Sequence, residues 1–319
     1  MPDKLLFIFN PQAGRGEIKN ALFPIIDVFS KSGYTVTACP TQKAGQVGDL
    51  IRTELPGKDL LVISGGDGTL NETINALMQQ DLSIPFGYIP AGTVNDFATS
   101  MKLSKNKRRA AEQITTGSPF SFDVGQIGER YFAYVAAFGA FSEVSYTTQQ
   151  QYKNVFGRAA YFLEGISRLG KIKSYRLKVE YPDGTIEDEF IFGMVTNSVS
   201  VGGIAFTKRA KISLNDGLFE VCLIKMPKNP IELQAIINAL LWQKPDPELM
   251  YTFKAPSLRI CSEEEIDWTL DGEFGGSSTD ALLENHRQAL KIMVGEGKEA
   301  KHQLSGQQAK SLSPPESGD

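Results

Sequence analysis

Between Lys4 and Met101 the chain alternates short apolar runs with stretches of helical period, and this alternation narrows the possible folds more than any other feature of the sequence. Lys4–Phe9 is strand-like, and Ile18, Leu22, Ile25, Ile26 and Phe29 then recur at helical spacing. Strand-like Tyr34–Ala38 precedes a helical stretch near Ala44–Leu55. Asp59–Ile63 precedes another over Asn71–Met78, and Ile84–Ile89 leads into Val94–Met101. Repetition of this kind sets the strands parallel in one sheet with helices on both faces.

From about Phe122 to Leu290 the texture changes. The runs YFAYVAAF, SYRLKVEY, GTIEDEFIFGMVT, GLFEVCLIKM, YTFKAPSLRI and IDWTLDGEF, with turn signals such as Asp183-Gly184, predict a mostly antiparallel second domain. Helical spacing returns near Val155–Leu169 and Pro230–Trp242. The 319 residues therefore divide into an α/β domain over 1–121, a β domain over 122–290 and a final strand over 291–297 returning to the first domain. The polar remainder, 298–319 with Pro314-Pro315, is expected to be a disordered tail.

A net charge of -4 argues against a dedicated nucleic-acid binder, which needs a basic surplus to neutralise phosphates. Cys39, Cys222 and Cys261 are odd in number and far apart, which suits reduced core residues in a cytosol rather than a disulfide framework. The apolar run at the N-terminus is too short for a signal peptide, and no segment is long and apolar enough to span a bilayer. A cytoplasmic protein is expected, with any membrane role carried out from the surface. Of the two histidines, His286 and His302, neither has the partners that a metal site or a Ser-His-Asp triad requires.

Chemistry is signalled at the ends of the parallel strands. Gly65-Gly66-Asp67-Gly68-Thr69 follows the buried run DLLVIS and precedes a helix expected to begin near Asn71. Glycines let a backbone approach a phosphate closely, and the helix N-terminus adds a favourable dipole. The same residues also suit a tight turn. Asn10-Pro11-Gln12-Ala13-Gly14 ends the first strand, and Pro90-Ala91-Gly92-Thr93-Val94-Asn95-Asp96 ends the run Ile84–Ile89. Three small-residue loops at carboxyl ends of parallel strands favour a nucleotide site. The chain lacks a GxxxxGKS/T sequence, a GxGxxG after the first strand, and the protein-kinase motifs, so P-loop ATPases, Rossmann dehydrogenases and protein kinases are disfavoured.

In combination NPQAG at 10–14, GGDGTLNE at 65–72 and PAGTVNDFA at 90–98 resemble the diacylglycerol kinase catalytic family, especially its soluble bacterial members. SLNDGLFEV at 213–221 and LDGEF at 270–274 resemble its second-domain motifs. GGDGT alone is shared with NAD kinases. The resemblance implies an α/β nucleotide-binding domain of the NAD kinase and diacylglycerol kinase type, a C-terminal β-sandwich and an active site in the cleft between them. It implies ATP contacts from Asn10, Pro11, Gln12, Ala13, Gly14, Thr41, Gly66, Asp67, Gly68, Thr69, Leu70, Asn71, Glu72 and Thr93. Glu273 becomes the general base, and Asp67 and Asp271 the candidates for active-site Mg²⁺ or its waters. Carbonyls near Ser213 and Leu218 with the Asp216 carboxylate would hold a second, structural Mg²⁺, a hard cation suited to oxygen ligands. Read without the resemblance, Asp271-Gly272 and Asp216-Gly217 are equally good turn dipeptides.

The expected activity is transfer of the ATP γ-phosphate to a lipid hydroxyl, diacylglycerol giving phosphatidic acid. Kinases of sphingoid-type alcohols, NAD kinase and a non-catalytic nucleotide-binding regulator are the rivals. Basic clusters at Lys102, Lys105, Lys107, Arg108 and Arg109, and at Arg168, Lys171, Lys173, Arg176 and Lys178, are solvated faces or contacts to anionic headgroups. The helix around Phe156, Tyr161, Phe162, Ile166 and Leu169 is a core helix or an apolar contact. Family likeness also suggests a homodimer.

Overall fold

A computed structural model describes residues 2–14, 16–139, 173–197, 213–242 and 244–295. The expected helix over 155–169, the tail over 298–319 and the basic residues Arg168 and Lys171 lie outside these.

Strands β1 (Lys4–Phe9), β2 (Thr35–Pro40), β3 (Leu60–Gly65) and β4 (Phe86–Pro90) form a parallel sheet in the order β2-β1-β3-β4. The near-continuous apolar runs of β1 and β3 follow from burial on both faces. Leu5, Phe7 and Phe9 pack under α1 (Ile18–Lys31) and α5 (Lys107–Thr116), while Leu6 and Ile8 pack under α2 (Val47–Glu54), α3 (Asp67–Gln79) and α4 (Asp96–Ser100). Alternate side chains of one strand thus fill two different cores, as the period of two demands.

The rest is mostly antiparallel: β5 (Ser118–Ile127), β6 (Arg130–Phe132), β7 (Val135–Gly139), β8 (Tyr175–Tyr181), β9 (Gly184–Thr196), β10 (Phe219–Lys225), β11 (Met250–Ala255), β12 (Ser257–Leu270) and β13 (Glu273–Val294). Two long strands close its β layers on each other. The first half of β9 pairs β8 and its second half pairs β7, and β12 does the same in the same order. Inside lie Phe132, Phe138, Leu177, Phe190, Phe219, Ile260 and Trp268. Helix α6 (Pro230–Trp242) covers the other face of β9 and β10.

The run YFAYVAAF is two strands, β6 and β7, because the chain breaks at Ala133-Tyr134. Strand β13 runs for 22 residues, pairs β12 and then β5, and meets β4 in parallel at Ile292↔Phe86. Hydrogen bonding is therefore continuous between the two sheets. Among the described residues no helix is long and apolar enough to cross a membrane.

Trp268 is 1% exposed and meets Phe138 edge-on with centroids 5.1 Å apart. Replacing it with alanine should cost about 3–5 kcal/mol, seen as a lower urea midpoint.

Candidate active site

Strands β1, β3 and β4 end at one edge, and their loops touch through glycines. A Cβ on Gly92 would stand 2.6 Å from the Gly66 Cα, and one on Gly14, whose φ is 61°, would stand 2.4 Å from the Ala91 carbonyl oxygen. Neither distance admits a side chain, so the NPQAG, GGDGT and PAGTVND loops approach backbone to backbone. The Asn10 amide donates to the Ser64 carbonyl at 2.8 Å, and the Asn10 Oδ1 accepts from the Gln12 amide at 2.9 Å.

Helix α3 begins four residues earlier than its apolar spacing suggests. Gly66, in extended conformation, is the N-cap, so Asp67-Gly68-Thr69 is the first helical turn rather than a preceding loop. Polar and glycine residues there carry no hydrophobic period, which is why the spacing missed them. The Asp67 Oδ2 accepts the Asn95 backbone N–H at 2.9 Å. Asn95 is held left-handed, φ 57°, by its own side chain: its Nδ2 donates to the Gly92 carbonyl at 2.7 Å and its Oδ1 accepts the Gly92 amide at 3.0 Å. The other carboxylate oxygen, Asp67 Oδ1, is buried and has no hydrogen-bond partner among the described residues. Burial pushes the Asp67 carboxyl up to about 6, with the negative charges of Asp96 and Asp271 adding to it. An orphaned oxygen in surplus negative charge is the environment a divalent cation relieves, so the residues fit a Mg²⁺ held through Asp67.

Asp271 and Gly272 form the two-residue turn between β12 and β13, with Leu270 opposite Glu273. Their φ values, 51° and 88°, are both positive, as a type I′ turn requires. The turn expected from the dipeptide is present, but Asp271 is not solvated: it is 4% exposed and points inward. Its Oδ2 accepts the Ala133 amide at 2.7 Å and the Asn71 Nδ2 at 2.9 Å; its Oδ1 accepts the Tyr134 and Val135 amides at 3.0 and 3.1 Å. These three amides lie at the break between β6 and β7. Burial raises the Asp271 pKa against the opposing pull of those four bonds. With both oxygens occupied by protein donors, Asp271 fits a brace better than a metal ligand.

Two residues on, the Glu273 carboxylate reaches the first turn of α3. A Cβ on Gly68 would lie 2.8 Å from Glu273 Oε1. Gly68 leaves the room that the carboxylate fills, and segments about 200 residues apart meet there.

The other sequence-identified residues fall into two groups. Gln12 and Thr93 are exposed on the loops, and Ala13 and Thr41 are buried beside them, with the Thr41 amide bonded to the Phe9 carbonyl at 2.9 Å. Leu70 and Thr69 turn into the core. Asn71 and Glu72 are used as scaffold: Asn71 Nδ2 also donates to the Tyr131 carbonyl at 3.2 Å, and the two Glu72 oxygens accept the Gly45 and Val47 amides at 2.9 and 3.3 Å.

In the 213–218 loop, Asp216 Oδ1 accepts the Leu218 amide at 3.2 Å, and its Oδ2 lies 3.5 Å from Lys254 Nζ. Lys254 is shared with Glu220 at 2.7 Å. Ser213 is buried, its Oγ on Asn215 Oδ1 at 2.9 Å. Beneath the loop Asp123, 0% exposed, accepts the Gly217 and Gln288 amides at 2.6 and 2.7 Å. Burial pushes Asp123 to about 6 and Glu220 to about 7, and the Asp216 charge adds to both. Asp123, Asp216 and Glu220 outnumber Lys254 and Arg287 here, and a Mg²⁺ held through Asp216 would take the place of the Lys254 ammonium at Oδ2. Asp123 and the part of Asn95 in tying the PAGTVND loop to Asp67 were not read from the sequence. A lone carboxylate inside the apolar strand SFDVG was the available signal for the first.

At pH 7.5 without divalent ions, Asp67→Asn should raise stability by about 2–3 kcal/mol, because the ionised carboxylate is costly to bury. A carboxyl raised in the folded state destabilises above its folded pKa and is relieved as pH falls. The gain should therefore shrink below about pH 6 and be largely gone near pH 4, as urea unfolding across that range would measure.

Residues 4–127 match the diacylglycerol kinase catalytic domain. The chain is 31% identical over 290 residues to a diacylglycerol kinase of Bacillus subtilis (strain 168), covering 90% of this chain and 95% of the relative. It is 33% identical over 300 residues to one from Staphylococcus epidermidis, with 92% and 93% covered. A crystal structure from Bacillus anthracis str. Sterne, of a protein proposed to be a diacylglycerol kinase, superposes with a TM-score of 0.78 at 26% identity, over 92% of this chain and 96% of that one. With its loops, its first helical turn and its β12–β13 turn arranged as described, the chain belongs to the diacylglycerol kinase family.

Proposed function

We propose that this protein transfers the γ-phosphate of ATP to the free hydroxyl of diacylglycerol, giving phosphatidic acid, at a membrane surface and as a homodimer. The observation that carries the reading is the Glu273 carboxylate seated over Gly68, at the N-terminus of α3 and beside Asp67. A nucleotide-binding regulator has no need of a carboxylate there.

Phosphoryl transfer asks chiefly for positioning and charge neutralisation. The backbone amides of the three glycine-linked loops and the positive end of α3 hold the phosphates. Asp67 would hold Mg²⁺, which when bound would supply neutralisation of charge on the transferring phosphoryl group. Glu273 takes the proton of the acceptor hydroxyl as its oxygen bonds to the γ-phosphorus and the bond to the β-phosphate oxygen breaks, releasing ADP. Asp271 acts through others: it fixes the turn that carries Glu273 and ties it to α3 through Asn71. Its role is positioning rather than metal ligation. Asp216, with carbonyls near Ser213 and Leu218, holds a second Mg²⁺ that is structural.

Glu273→Gln should lower phosphate transfer from labelled ATP to diacylglycerol at least about 100-fold while leaving ATP binding and Tm unchanged. Retained activity would remove Glu273 from the mechanism. Gly68→Ala separates geometry from folding. Alanine favours a helix by about 1 kcal/mol, so the variant should stay folded yet lose turnover as its methyl displaces the carboxylate.

Asp216→Ala should lower activity and Tm together and abolish the rise in Tm that Mg²⁺ gives the parent protein through this loop. Loss of neither would sink the structural-metal assignment. NAD and a sphingoid base offered in parallel identify the acceptor: label in either alone keeps the mechanism and changes the substrate.

A further inference from the structure

Helix α6 is apolar on nearly every side, and its one charged residue, Glu232, is spent on its own N-terminus: the carboxylate accepts the Lys228 amide at 2.7 Å and the Asn229 Nδ2 at 3.1 Å. One side is explained by packing, since Leu233, Ile236, Ile237 and Ala239 are buried. The other side is not. Ile231 is 81% exposed and Trp242 68% exposed, the two extremes of a stripe Ile231, Gln234, Asn238, Trp242. Residues eleven apart return to one face of a helix, so the stripe runs its length, about 16 Å.

Three features suit this stripe to a phospholipid surface. It carries no charge, and its two amides share a hydrogen bond, Gln234 Nε2 donating to Asn238 Oδ1 at 3.2 Å, which lowers in part the cost of taking them out of water. Exposed lysines flank it, Lys228 before Ile231 and Lys244 after Trp242, an arrangement in which ammonium groups stay among headgroups while the apolar side chains enter. The buried side of the same helix joins the core beneath the site. One buried cluster runs from Phe97 and Met101 of the α4 region through Tyr134 and Leu214 to Met194, Ile224 and Ile236. Tyr134, whose amide donates to Asp271, belongs to the same cluster as Ile236 of α6.

We propose that the Ile231–Trp242 stripe of α6 is the face by which this protein docks on a phospholipid surface, with Lys228 and Lys244 at the headgroups. The inference rests on the lipid-kinase reading for its purpose, but its test does not.

The chain has two tryptophans, and Trp268 is buried, so a change of emission on adding vesicles reports Trp242. Equimolar phosphatidylcholine and phosphatidylglycerol vesicles should shift the emission to the blue, and Trp242→Phe should abolish the shift. Ile231→Ser with Trp242→Ser should weaken vesicle co-sedimentation at least about tenfold and lower activity on vesicle-borne diacylglycerol, while Tm and activity on a dispersed short-chain diacylglycerol stay within about twofold. Lys228→Glu with Lys244→Glu should weaken binding to these vesicles more than to phosphatidylcholine alone.

Unchanged vesicle binding in the double serine variant overturns the proposal, as does an equal loss on dispersed and vesicle-borne substrate. A change in oligomeric state with vesicle binding intact would make the stripe a contact between copies, and also overturns it. If the parent protein shifts on vesicles but phosphorylates no diacylglycerol in either form, the docking face stands and the lipid-kinase reading falls.

Discussion

The Asp271 carboxylate accepts four N–H groups in a setting closed to water, and the relation between the two halves of the site depends on it. Three donors come from the break between β6 and β7, the fourth from Asn71 on α3. Leaving buried amides unpaired costs roughly 1–3 kcal/mol each, so the turn, the strand break and the helix are held in one arrangement. The carboxylate does this from a left-handed turn residue, a conformation that aspartate tolerates better than most side chains.

That brace gives the neighbouring groups their meaning. Glu273 is placed over Gly68 because the turn before it cannot swing, and Gly68 carries no side chain to resist it. Asp67, on the same helical turn, is held by the Asn95 amide and keeps one oxygen without a hydrogen-bond partner among the described residues, at a cost in stability. Strained backbone and unsatisfied charge at functional sites are a recurrent pairing. Here the left-handed Asp271 stands two residues before Glu273, and Asp67 one residue before the Gly68 that Glu273 covers.

The two Asp-Gly dipeptides show how far local rules reach. Without the resemblance Asp271-Gly272 reads first as a solvated turn and Asp216-Gly217 as a turn or a metal loop alike; with it both read as parts of a site. Asp271-Gly272 is in fact a type I′ turn with a buried side chain tied to Asn71: the backbone obeys the turn rule while the side chain turns inward. Asp216-Gly217 keeps a partly exposed carboxylate facing Lys254, and its rigidity comes from Asp123, 94 residues away. Turn propensity fixes φ and ψ but says nothing of which donors surround a side chain.

The order of strands and helices, the parallel sheet under NPQAG, GGDGT and PAGTVND, and the antiparallel texture of the second half were legible because period and turn chemistry are local properties that neighbouring residues carry together. The carboxylates Asp67, Asp271 and Glu273 were singled out there too, on the motifs that carry them. The start of α3 at Asp67 was not legible, since helix-capping residues have no apolar period. Nor was the division of labour among Asp67, Asp271 and Glu273, or the use of Asn71 and Glu72 as scaffold. Those depend on which amides and glycines stand within about 3 Å of each side chain, and such neighbours arrive from segments as much as 200 residues apart. Only the packing of β13 against both sheets brings them together.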